Sequence, residues 1–568
     1  MKMCGIVGFN FRDKELLIKM MGSISHRGSD QKGGVLLQNF SLGHQRLSII
    51  DLSEKGKQPL CNEEGDKWIV YNGEIYNFKE IREDLEKLGH KFRSDTDTEV
   101  IIHAYEEYGY NCVNVFNGMF AFAISDGKKL FLARDPVGIK PLYYYFENGS
   151  FIFASEIKAF FHAGIAPNIN HDSLNLLLSY RTVLGESTLF QNIKKLLPGH
   201  YLVYENNDIS LSKYFQLDIV EKDISGEVLV TKFRELFNKS VNRMLVADVP
   251  VGAFLSGGLD SSCVVAMMSK VSNHVKTFTA GFNEEHDEMK YAKKVSEHYG
   301  TEHHEVYINY DDMTKIFDDV VYHMDEPIAD PAIFPVCFVS KLAKDKVKVA
   351  LFGEGADELF AGYSKYNIIN SSFFPMRRYV KTDQLFTSDK NKFFNYEGNT
   401  NGTAVNYIGK SANLNNALLF DFKEILPNFQ LMKVDKMTMM HSLEGRVPFL
   451  DKEIVKFAFQ LPAKYKLHNG TGKYIIRKSV EGIVPKEILW GEKRIFFTPL
   501  KKWMDEGLRD IAIERLMKTE IFDKRNVLKL IHKENNSLRR YKYSNQLWSL
   551  LMIETWYQQF VKKHEVIA

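Results

Sequence analysis

Residues 256–262, with the sequence SGGLDSS, form the motif with the clearest chemistry in the chain. They follow an apolar run at 249–255 that is typical of a buried strand, and they precede a helical pattern. Glycines let a backbone approach a phosphate closely, and the first N–H groups of a helix bind anions. Because Asp260 would repel a bare phosphate, we expect it to hold a Mg²⁺ ion that bridges phosphate oxygens. The motif is not a Walker A loop, since GxxxxGK[ST] is absent.

A second loop, GEGADE at residues 353–358, carries three carboxylates. It differs from the dinucleotide-binding GxGxxG because its last residue is glutamate. Carboxylates this close are unfavourable unless a cation or a proton-transfer reaction pairs them. Asp357 could share a Mg²⁺ with Asp260, and Glu354 could act as a base. An acidic helix N-terminus is the structural alternative. Further along, Lys473 could stabilise charge on an α-phosphate, although an isolated lysine is more often an exposed surface residue.

The first quarter of the chain contains a second set of polar motifs. They are CGIVGF from position 4, HRGSD from 26, GHQRLSIID from 43, YNGEIYN from 71, SDTDTE from 94 and ARDPVGIKPLYY from 133. Each has a structural explanation in isolation. A cysteine that starts a strand is more often a core residue, Asn72-Gly73 is typical of a type I′ turn, and residues 95–98 are typical of a helix cap.

Taken together and in order, the motifs resemble the glutamine-hydrolysing asparagine synthetase family. The N-terminal set is similar to a class II (N-terminal nucleophile, Ntn) glutamine amidotransferase domain. SGGLDSS is similar to the pyrophosphate-binding loop of the N-type ATP pyrophosphatases. The resemblance covers nearly the whole chain with no motif missing, and matches in both halves would have to coincide by chance. It implies a glutaminase domain at residues 4–210 and an adenylating synthetase domain at residues 220–568.

In the glutaminase domain, the resemblance makes Cys4 the nucleophile and its own α-amine the base. Acyl transfer also needs an oxyanion hole, which Asn72 and the N–H of Gly73 match. The implied glutamine-binding residues are Arg46, Ile49, Asn72, Glu74 and Asp97.

The N-terminus departs from the family pattern. In the family the cysteine directly follows the initiator methionine, whereas Met1, Lys2 and Met3 precede Cys4 in this sequence. An untrimmed chain would have no free amine at Cys4. We therefore expect either translation from Met3 or removal of the extra residues. Ser29 replaces the proline that the family usually has in HRGPD, which we expect to alter only the stiffness of a turn.

In the synthetase domain, the resemblance implies a base, a charge-stabilising lysine and a magnesium site. Glu354 matches the base for ammonia attack and Lys473 the lysine, while Asp260 and Asp357 match the Mg²⁺ ligands. The implied ATP- and pyrophosphate-binding residues are Leu255, Ser256, Gly257, Gly258, Leu259, Asp260, Ser261, Ser262, Phe352 and Gly353. The implied acceptor-binding residues are Asp435, Glu444 and Arg446.

The implied reaction is ATP-dependent amide synthesis. An acceptor carboxylate, the aspartate side chain in the family, attacks the α-phosphorus of MgATP, and pyrophosphate leaves. Ammonia released at Cys4 and channelled between the domains then displaces AMP, and a sheltered route keeps it from escaping. Two positions depart from the family, namely Phe352, where serine is common, and Gly445, where alanine or valine is common. They lie beside the expected adenine and acceptor pockets, so the identity of the acceptor stays open.

Three alternatives follow from the same residues. A relative of the same family could amidate another carboxylate, such as a uronic acid in surface polysaccharide biosynthesis, because such enzymes share the catalytic motifs. A β-lactam-type synthetase is disfavoured, since those enzymes lack the nucleophilic cysteine. A non-catalytic relative is disfavoured by the retained residues Cys4, Asn72, Asp260, Glu354, Asp357 and Lys473.

The elements that must position these motifs are predicted to be of two kinds. Up to about residue 200, short strand patterns with helices at 78–88 and 98–108 predict an α+β domain with antiparallel sheets. The resemblance implies that helices lie on both sides of these sheets. After about 215, apolar strands at 249–255, 277–282 and 347–352 alternate with helices and predict an α/β domain with a parallel sheet. Residues 382–415 are predicted as a polar loop, and the last 150 or so residues as helical.

The composition bounds the class of protein. A chain of 568 residues suggests three or four domains or two large ones, and 45% apolar and 26% charged residues are typical of a globular protein. With 74 basic and 72 acidic residues, the net charge of +2 favours neither nucleic-acid nor membrane partners. No apolar run reaches the roughly 20 residues that cross a bilayer. We expect small-molecule substrates as partners, and the family is commonly homodimeric.

The five cysteines indicate the redox environment. They are scattered without CxxC spacing, which argues against a structural zinc site and against a disulfide framework. A reducing, cytoplasmic location is therefore predicted.

Overall fold

We describe the chain from a computed structural model, which covers residues 4–28, 30–221, 224–284, 287–370, 379, 382, 384–386, 393–394, 413–491, 498–536 and 540–565. Met1 to Met3, Ser29 and most of the polar segment 382–415 lie outside these residues, so the expectations about them stay predictions.

Two antiparallel sheets of six strands each form the centre of the N-terminal half. Their strand orders are β10-β8-β9-β1-β3-β2 and β12-β11-β7-β6-β5-β4. The strands are β1 (Gly5–Phe9), β2 (Gln31–Leu36), β3 (Ser41–Arg46), β4 (Leu60–Cys61), β5 (Trp68–Ile75), β6 (Gly118–Ser125), β7 (Leu130–Arg134), β8 (Tyr143–Glu147), β9 (Ser150–Ala154), β10 (Ile193–Lys195), β11 (His200–Glu205) and β12 (Asp208–Lys213).

The two sheets pack face to face, and helices cover their outer faces. Apolar side chains of β1, β3 and β9 meet those of β5, β6 and β7 in one buried cluster, as the period-2 pattern of the strands requires. A second cluster joins the outer face of β5 and β6 to α2 and α3. The helices of this half are α1 (Lys14–Ser23), α2 (Phe78–Lys87), α3 (Asp97–Tyr108), α4 (Lys158–Phe161) and α5 (His171–Tyr180).

Two local expectations about this half can be compared with the structure. The expected helix cap is confirmed, because the Thr96 hydroxyl accepts a hydrogen bond from the N–H of Glu99 at the start of α3. The interpretation of Asn72-Gly73 as a type I′ turn is wrong. Both residues lie inside β5, paired with Ala121 and Phe120 of β6, so pairing along the sheet overrides the local turn preference.

A parallel sheet with the order β15-β14-β13-β16-β17 forms the centre of the C-terminal half. Its strands are β13 (Val251–Phe254), β14 (Lys276–Gly281), β15 (Glu302–Tyr307), β16 (Val349–Leu351) and β17 (Glu444–Arg446). The helices among them are α6 (Gly226–Met244), α7 (Leu259–Met268), α8 (Met289–Tyr299), α9 (Tyr310–Met324), α10 (Ile333–Ala343) and α11 (Ala356–Phe360).

The other described residues are mainly helical, with a short hairpin. The helices are α12 (Leu414–Phe420), α13 (Leu431–Met440), α14 (Lys452–Gln460), α15 (Ala463–Lys466), α16 (Tyr474–Ser479), α17 (Lys486–Leu489), α18 (Leu500–Trp503), α19 (Arg509–Met517), α20 (Lys524–Asn536), α21 (Arg540–Trp556) and α22 (Lys563–Glu565). The hairpin is β18 (Leu467–His468) with β19 (Thr471–Gly472). π-Helical turns cover Asp421–Gln430, Met504–Leu508 and Tyr557–Lys562, and 3₁₀ turns cover Glu54–Gly56, Gly109–Asn114, Ser364–Asn370 and Pro448–Leu450.

The expected fold class is confirmed in both halves: antiparallel sheets sandwiched by helices, followed by a parallel sheet with a helical C-terminal part. Across the described residues, we find no helix whose length and apolar character would let it span a bilayer.

Candidate active sites

The two polar loops of the C-terminal half meet at the point where the strand order reverses. From β13 the chain moves outward to β14 and β15, and then returns to β16 and β17 on the other side of β13. Residues 255–262 follow β13, and residues 352–357 follow the neighbouring β16. The carboxyl ends of strands at such a switch point are where open α/β sheets bind ligands.

The SGGLDSS loop is held in shape by its own hydroxyl groups. Ser256 Oγ lies 3.1 Å from Ser261 Oγ and accepts from the Gly258 N–H at 3.2 Å, while the Ser262 hydroxyl donates to Gly258 O at 2.7 Å. Gly257 has a φ of +73°, and a Cβ there would lie 2.4 Å from Ala292 N. The loop therefore needs glycine at this position, and it ends at the N-terminus of α7, which attracts anions.

Lys473 joins the two loops, and we call Lys473, Asp260 and Asp357 together the Lys473 site. Its Nζ lies 2.5 Å from Asp260 Oδ2 and 2.8 Å from Asp357 Oδ1. Burial alone would lower the pKa of Lys473, but the two carboxylates raise it above its ordinary value, so the ammonium is charged. A Cβ on Gly362 would lie 1.8 Å from Asp357 Oδ1, so the glycine lets these groups approach. Two carboxylates that share one cation are also a donor set suited to Mg²⁺.

The acidic loop is tolerated because its carboxylates differ in ion pairing and in protonation. Asp357 is paired with Lys473. Glu358 is buried and accepts the Tyr363 hydroxyl at 2.7 Å. Burial, and then the charge of Asp357, raise its pKa to about 8, so it is mainly neutral at pH 7. Burial also raises the pKa of Glu354, which the charge of Lys433 opposes. A carboxyl with a raised pKa suits a proton-transfer role.

Phe352 and Gly445, the two positions at which the resemblance implied departures from the family, lie side by side. A Cβ on Gly445 would lie 3.1 Å from Phe352 Cε2 and 3.0 Å from Val434 Cγ1, both tighter than ordinary contacts. The Phe352 ring also packs edge-on against Phe254, with ring centroids 4.4 Å apart. The larger residue at 352 therefore occupies space that the absent side chain at 445 leaves.

We expect the stability effects of these two positions to be coupled. Gly445→Ala should destabilise by about 1–3 kcal/mol through overpacking, and Phe352→Ala by about 3–5 kcal/mol through the cavity it leaves. In the Phe352→Ala background, Gly445→Ala should cost less than half of its effect in the parent. The apparent melting temperatures of the four proteins measure this, and additive shifts would contradict the contact. Gly22→Ala is the matched control, because a Cβ there meets no atom within 4 Å.

Residues of the N-terminal half, together with Glu444, line a pocket that we call the Cys4 cavity. Its lining includes most of the residues that the sequence indicated for glutamine binding, although they come from distant parts of the chain. The lining residues are Cys4, Arg46, Leu47, Ile49, Ile50, Gln58, Tyr71, Gly73, Glu74, Thr96, Asp97, Thr98 and Glu444.

Cys4 and Asn72 have the properties expected of an acyl-transfer site. Burial raises the pKa of the Cys4 thiol to about 12, an effect that the nearby Arg46 opposes, so the group is a thiol at neutral pH and needs a base. Asn72 is fully buried, yet neither its Nδ2 nor its Oδ1 has a hydrogen-bond partner among the described residues. A buried amide without partners is costly unless a ligand satisfies it.

Gly73 and Arg46 are fixed by their surroundings. A Cβ on Gly73 would lie 2.1 Å from Met119 O, so a side chain would push β6 away. The Arg46 guanidinium donates to the carbonyls of Ile50 (3.2 Å) and Asp51 (2.6 Å), among other partners, and this orients it at the cavity wall.

Asp97 and Glu74, the two cavity carboxylates that the sequence indicated for glutamine binding, are held differently. Asp97 accepts the Tyr71 hydroxyl at 2.8 Å and the Ile75 N–H at 2.9 Å, and burial raises its pKa to about 6. Burial and then the charge of Glu444 raise the pKa of Glu74, while Arg446, whose Nη2 is 3.4 Å from Glu74 Oε1, opposes that rise.

The three expected acceptor-binding residues make their described side-chain contacts away from Lys473. Asp435 is buried against the N-terminal half, where the Arg27 guanidinium donates to both of its oxygens at 2.9 and 3.2 Å. Glu444 lines the Cys4 cavity and accepts from Arg446 Nε at 2.6 Å. These contacts place the three residues at the junction of the two halves, and their role in acceptor binding stays a prediction.

Glu444 is the cavity residue that sequence reasoning assigned elsewhere. It comes from the far half of the chain, and no local pattern links it to Cys4. Gln58 and Tyr71 also line the cavity without having been predicted, and the only signal for Tyr71 was its place beside Asn72.

Comparison with known proteins gives the same two parts. The asparagine synthase family matches residues 232–558, and the glutamine amidotransferase domain family matches residues 3–215. Asparagine synthetase [glutamine-hydrolyzing] 1 of Bacillus subtilis is 35% identical, over 99% of this chain and 97% of its own length. Asparagine synthetase [glutamine-hydrolyzing] 3 of the same organism is 31% identical, over 98% and 99%. A putative asparagine synthetase 2 of Methanocaldococcus jannaschii is 38% identical, over 64% and 76%.

Proposed function

The chain belongs to the glutamine-hydrolysing asparagine synthetase family, and from this premise we propose that Cys4 and Lys473 are the centres of its two half-reactions. The enzyme is an ATP-dependent carbon–nitrogen ligase that takes nitrogen from glutamine. Residues 4–210 act as the glutaminase domain and residues 220–568 as the adenylating domain. We propose aspartate as the acceptor, by analogy with the named relatives.

In the first half-reaction, the Cys4 thiol attacks the side-chain amide carbon of glutamine. Because the pKa of that thiol is raised to about 12, its proton must pass to a base, and the α-amine of Cys4 itself is the group for this. Asn72 and the N–H of Gly73 receive the oxyanion, which supplies the partner that the buried Asn72 amide lacks within the described structure. Arg46, Ile49, Glu74 and Asp97 hold the glutamine. Ammonia leaves, and water releases glutamate.

In the second half-reaction, the aspartate side-chain carboxylate attacks the α-phosphorus of ATP, and pyrophosphate leaves. The loop 255–262, with Phe352 and Gly353, binds the nucleotide and pyrophosphate. The charged Lys473 stabilises the negative charge that builds on the phosphorus. Ammonia then attacks the acyl-adenylate, Glu354 takes up the proton, and AMP leaves with asparagine as product. Activation is needed because a carboxylate is a poor electrophile.

Asp260 and Asp357 would hold Mg²⁺, which when bound neutralises charge on the phosphate oxygens of ATP. The support is their shared position around one cation, the Lys473 ammonium. The family implies ATP as the nucleotide substrate, and we propose Mg²⁺ as the metal.

One observation carries the proposal that the two reactions are linked. Strand β17 runs from the Cys4 cavity, which Glu444 lines, to Arg446, whose carbonyl accepts the Phe352 N–H at 2.8 Å beside the acidic loop. At about 3.3 Å per residue, the two steps from Glu444 to Arg446 cover roughly 7 Å. We propose that ammonia passes through the buried region along this strand.

Pyrophosphate release from MgATP with ammonium as nitrogen donor tests the acceptor. We expect release to depend on L-aspartate and to match asparagine formation one to one, because the adenylate forms only on the acceptor. The same assay with a uronic acid is the comparison. Release that depends on the uronic acid and ignores aspartate would contradict the aspartate proposal and favour the surface-polysaccharide alternative.

We also propose a cytoplasmic location, which the five free thiols support. We predict that the protein forms the homodimer common in the family, and light scattering would measure its mass in solution. The partners we propose are glutamine, aspartate and ATP.

A further inference from the structure

A cluster of two histidines and four glutamates lies outside both active sites. It is formed by the β4–β5 loop, the residues after α2 and one face of α3. Its members are Glu63, His90, Glu99, His103, Glu106 and Glu107. None of them lines the Cys4 cavity or contacts the Lys473 site.

Three side-chain atoms in the cluster converge at the spacing of a metal site, and a fourth, from Glu106, lies beside the two histidines. Glu63, His90 and His103 each offer one ligand atom, and these atoms lie within 4.8 Å of one another. His103 Nδ1 is 3.5 Å from Glu63 Oε2 and 2.8 Å from Glu106 Oε2, and His90 Nδ1 is 3.8 Å from the same Glu106 oxygen. Around a tetrahedral Zn²⁺ with bonds of about 2.0–2.1 Å, ligand atoms are about 3.3 Å apart.

A carboxylate also lies near the other ring nitrogen of each histidine, without a hydrogen bond between them. His103 Nε2 is 3.7 Å from Glu99 Oε1, and His90 Nε2 is 3.5 Å from Glu107 Oε2. Metal-binding histidines commonly donate the other ring N–H to a carboxylate, and these two carboxylates are close enough for small side-chain movements to make that hydrogen bond.

The two glutamates are held by their second oxygens. Glu63 Oε1 accepts from the Lys91 N–H at 3.4 Å, which leaves Oε2 toward His103. Glu106 Oε1 accepts from Asn62 Nδ2 at 2.7 Å, which leaves Oε2 toward the two histidines. The facing oxygens of both glutamates are therefore positioned by contacts outside the cluster centre.

The charge of the cluster favours a dication. Four carboxylates surround the two imidazoles, and the neighbouring cations include Lys67, 3.5 Å from Glu106, and Arg93, whose guanidinium donates to Glu63 O at 2.8 Å. Imidazole ligands select Zn²⁺ and other transition metals over Mg²⁺ and Ca²⁺, which prefer oxygen. The cysteine spacing, which argues against a structural zinc site, could not reveal this one, because it uses no thiolate and its ligands come from three separate segments.

We propose that His90, His103, Glu63 and Glu106 form a structural Zn²⁺ site that stiffens the wall of the Cys4 cavity. The site fixes α3, whose first residue, Asp97, lines the cavity. Glu99, behind His103, also accepts the Ser94 hydroxyl at 2.5 Å, and so holds the segment that leads into Thr96 to Thr98. Metal at the cluster acts on glutamine binding through this segment and has no part in adenylation.

Zinc binding by the full-length protein tests the site. We would measure the affinity and stoichiometry of Zn²⁺ by equilibrium dialysis and elemental analysis, with Mg²⁺ in excess to occupy the acidic loop. The background is Cys4→Ala with Cys61→Ser, because these two thiols are partly exposed and could bind zinc themselves. We expect one tightly bound Zn²⁺ per chain and a higher melting temperature with zinc than with chelator.

The variants are chosen to fold. His90→Gln and Glu63→Gln should each weaken zinc binding at least tenfold and remove the zinc-dependent rise in melting temperature. Glu64→Gln is the matched control, since it makes the same charge change one residue away on the exposed loop and should bind like the parent. Failure of the parent to bind stoichiometric zinc, or equal binding by His90→Gln and Glu64→Gln, would overturn the proposal.

Discussion

Lys473→Met should lower the rate of aspartate-dependent pyrophosphate release at least 10²–10³-fold, the effect of removing one group that stabilises transition-state charge. Methionine keeps the length and the packing of the side chain but removes the ammonium. Asp260 and Asp357 then face each other without the cation that now lies 2.5 and 2.8 Å from their oxygens. The loss should appear in kcat, because the charge develops only as the α-phosphorus is attacked.

Glutaminase activity separates this chemical role from a general loss of structure. The Cys4 cavity lies in the other half, so glutamine hydrolysis by Lys473→Met should stay within about twofold of the parent, as expected for distant sites without shared partners. Lys478→Met is the matched control, because Lys478 is an exposed lysine on the following helix, α16, paired with Glu481. Pyrophosphate release at the parental rate by Lys473→Met would exclude the proposed role.

The loops could be predicted from sequence because their chemistry is local. In SGGLDSS and GEGADE, the glycines, hydroxyls and carboxylates are contiguous, and the preceding apolar strands put both loops at the carboxyl edge of a sheet. Strand β15 was not predicted, because its sequence, EHHEVY, is polar and only partly buried at the sheet edge. Pairing with β14 makes it a strand, and pairing is not visible in a local pattern.

Contacts between the two halves lay beyond sequence reasoning. Glu444 reaches the Cys4 cavity and Asp435 reaches Arg27 across more than 400 positions of chain. The resemblance implied acceptor binding for both residues, and a local pattern carries no information about contacts with a distant half of the chain. The contact of Phe352 with Gly445 is likewise visible only once β16 and β17 are side by side.

Cys4→Ala should lower the rates of glutamine hydrolysis and of glutamine-dependent asparagine synthesis at least 10³-fold. Synthesis with ammonium as the nitrogen donor should continue. Alanine removes the nucleophile, and no other described thiol lines the cavity. The Lys473 site does not contain Cys4, so ammonium supplied from solution can still attack the adenylate. Loss of both activities would indicate that Cys4 supports the fold of the whole chain, and retained glutamine hydrolysis would exclude it as the nucleophile.

The α-amine of Cys4 can be tested separately from its thiol. Deleting Met1 and Lys2 leaves a single methionine before Cys4, whose removal exposes the amine, whereas inserting alanine between Met3 and Cys4 in that shortened chain keeps the amine in a peptide bond. Because burial raises the thiol pKa to about 12, a thiolate is scarce at neutral pH, and the thiol depends on a base for activation. We therefore expect the shortened chain to hydrolyse glutamine and the insertion variant to lose at least 10²-fold, within the usual range for general-base catalysis. Intact mass would verify each N-terminus, and equal glutamine hydrolysis by the two proteins would show that another group accepts the proton.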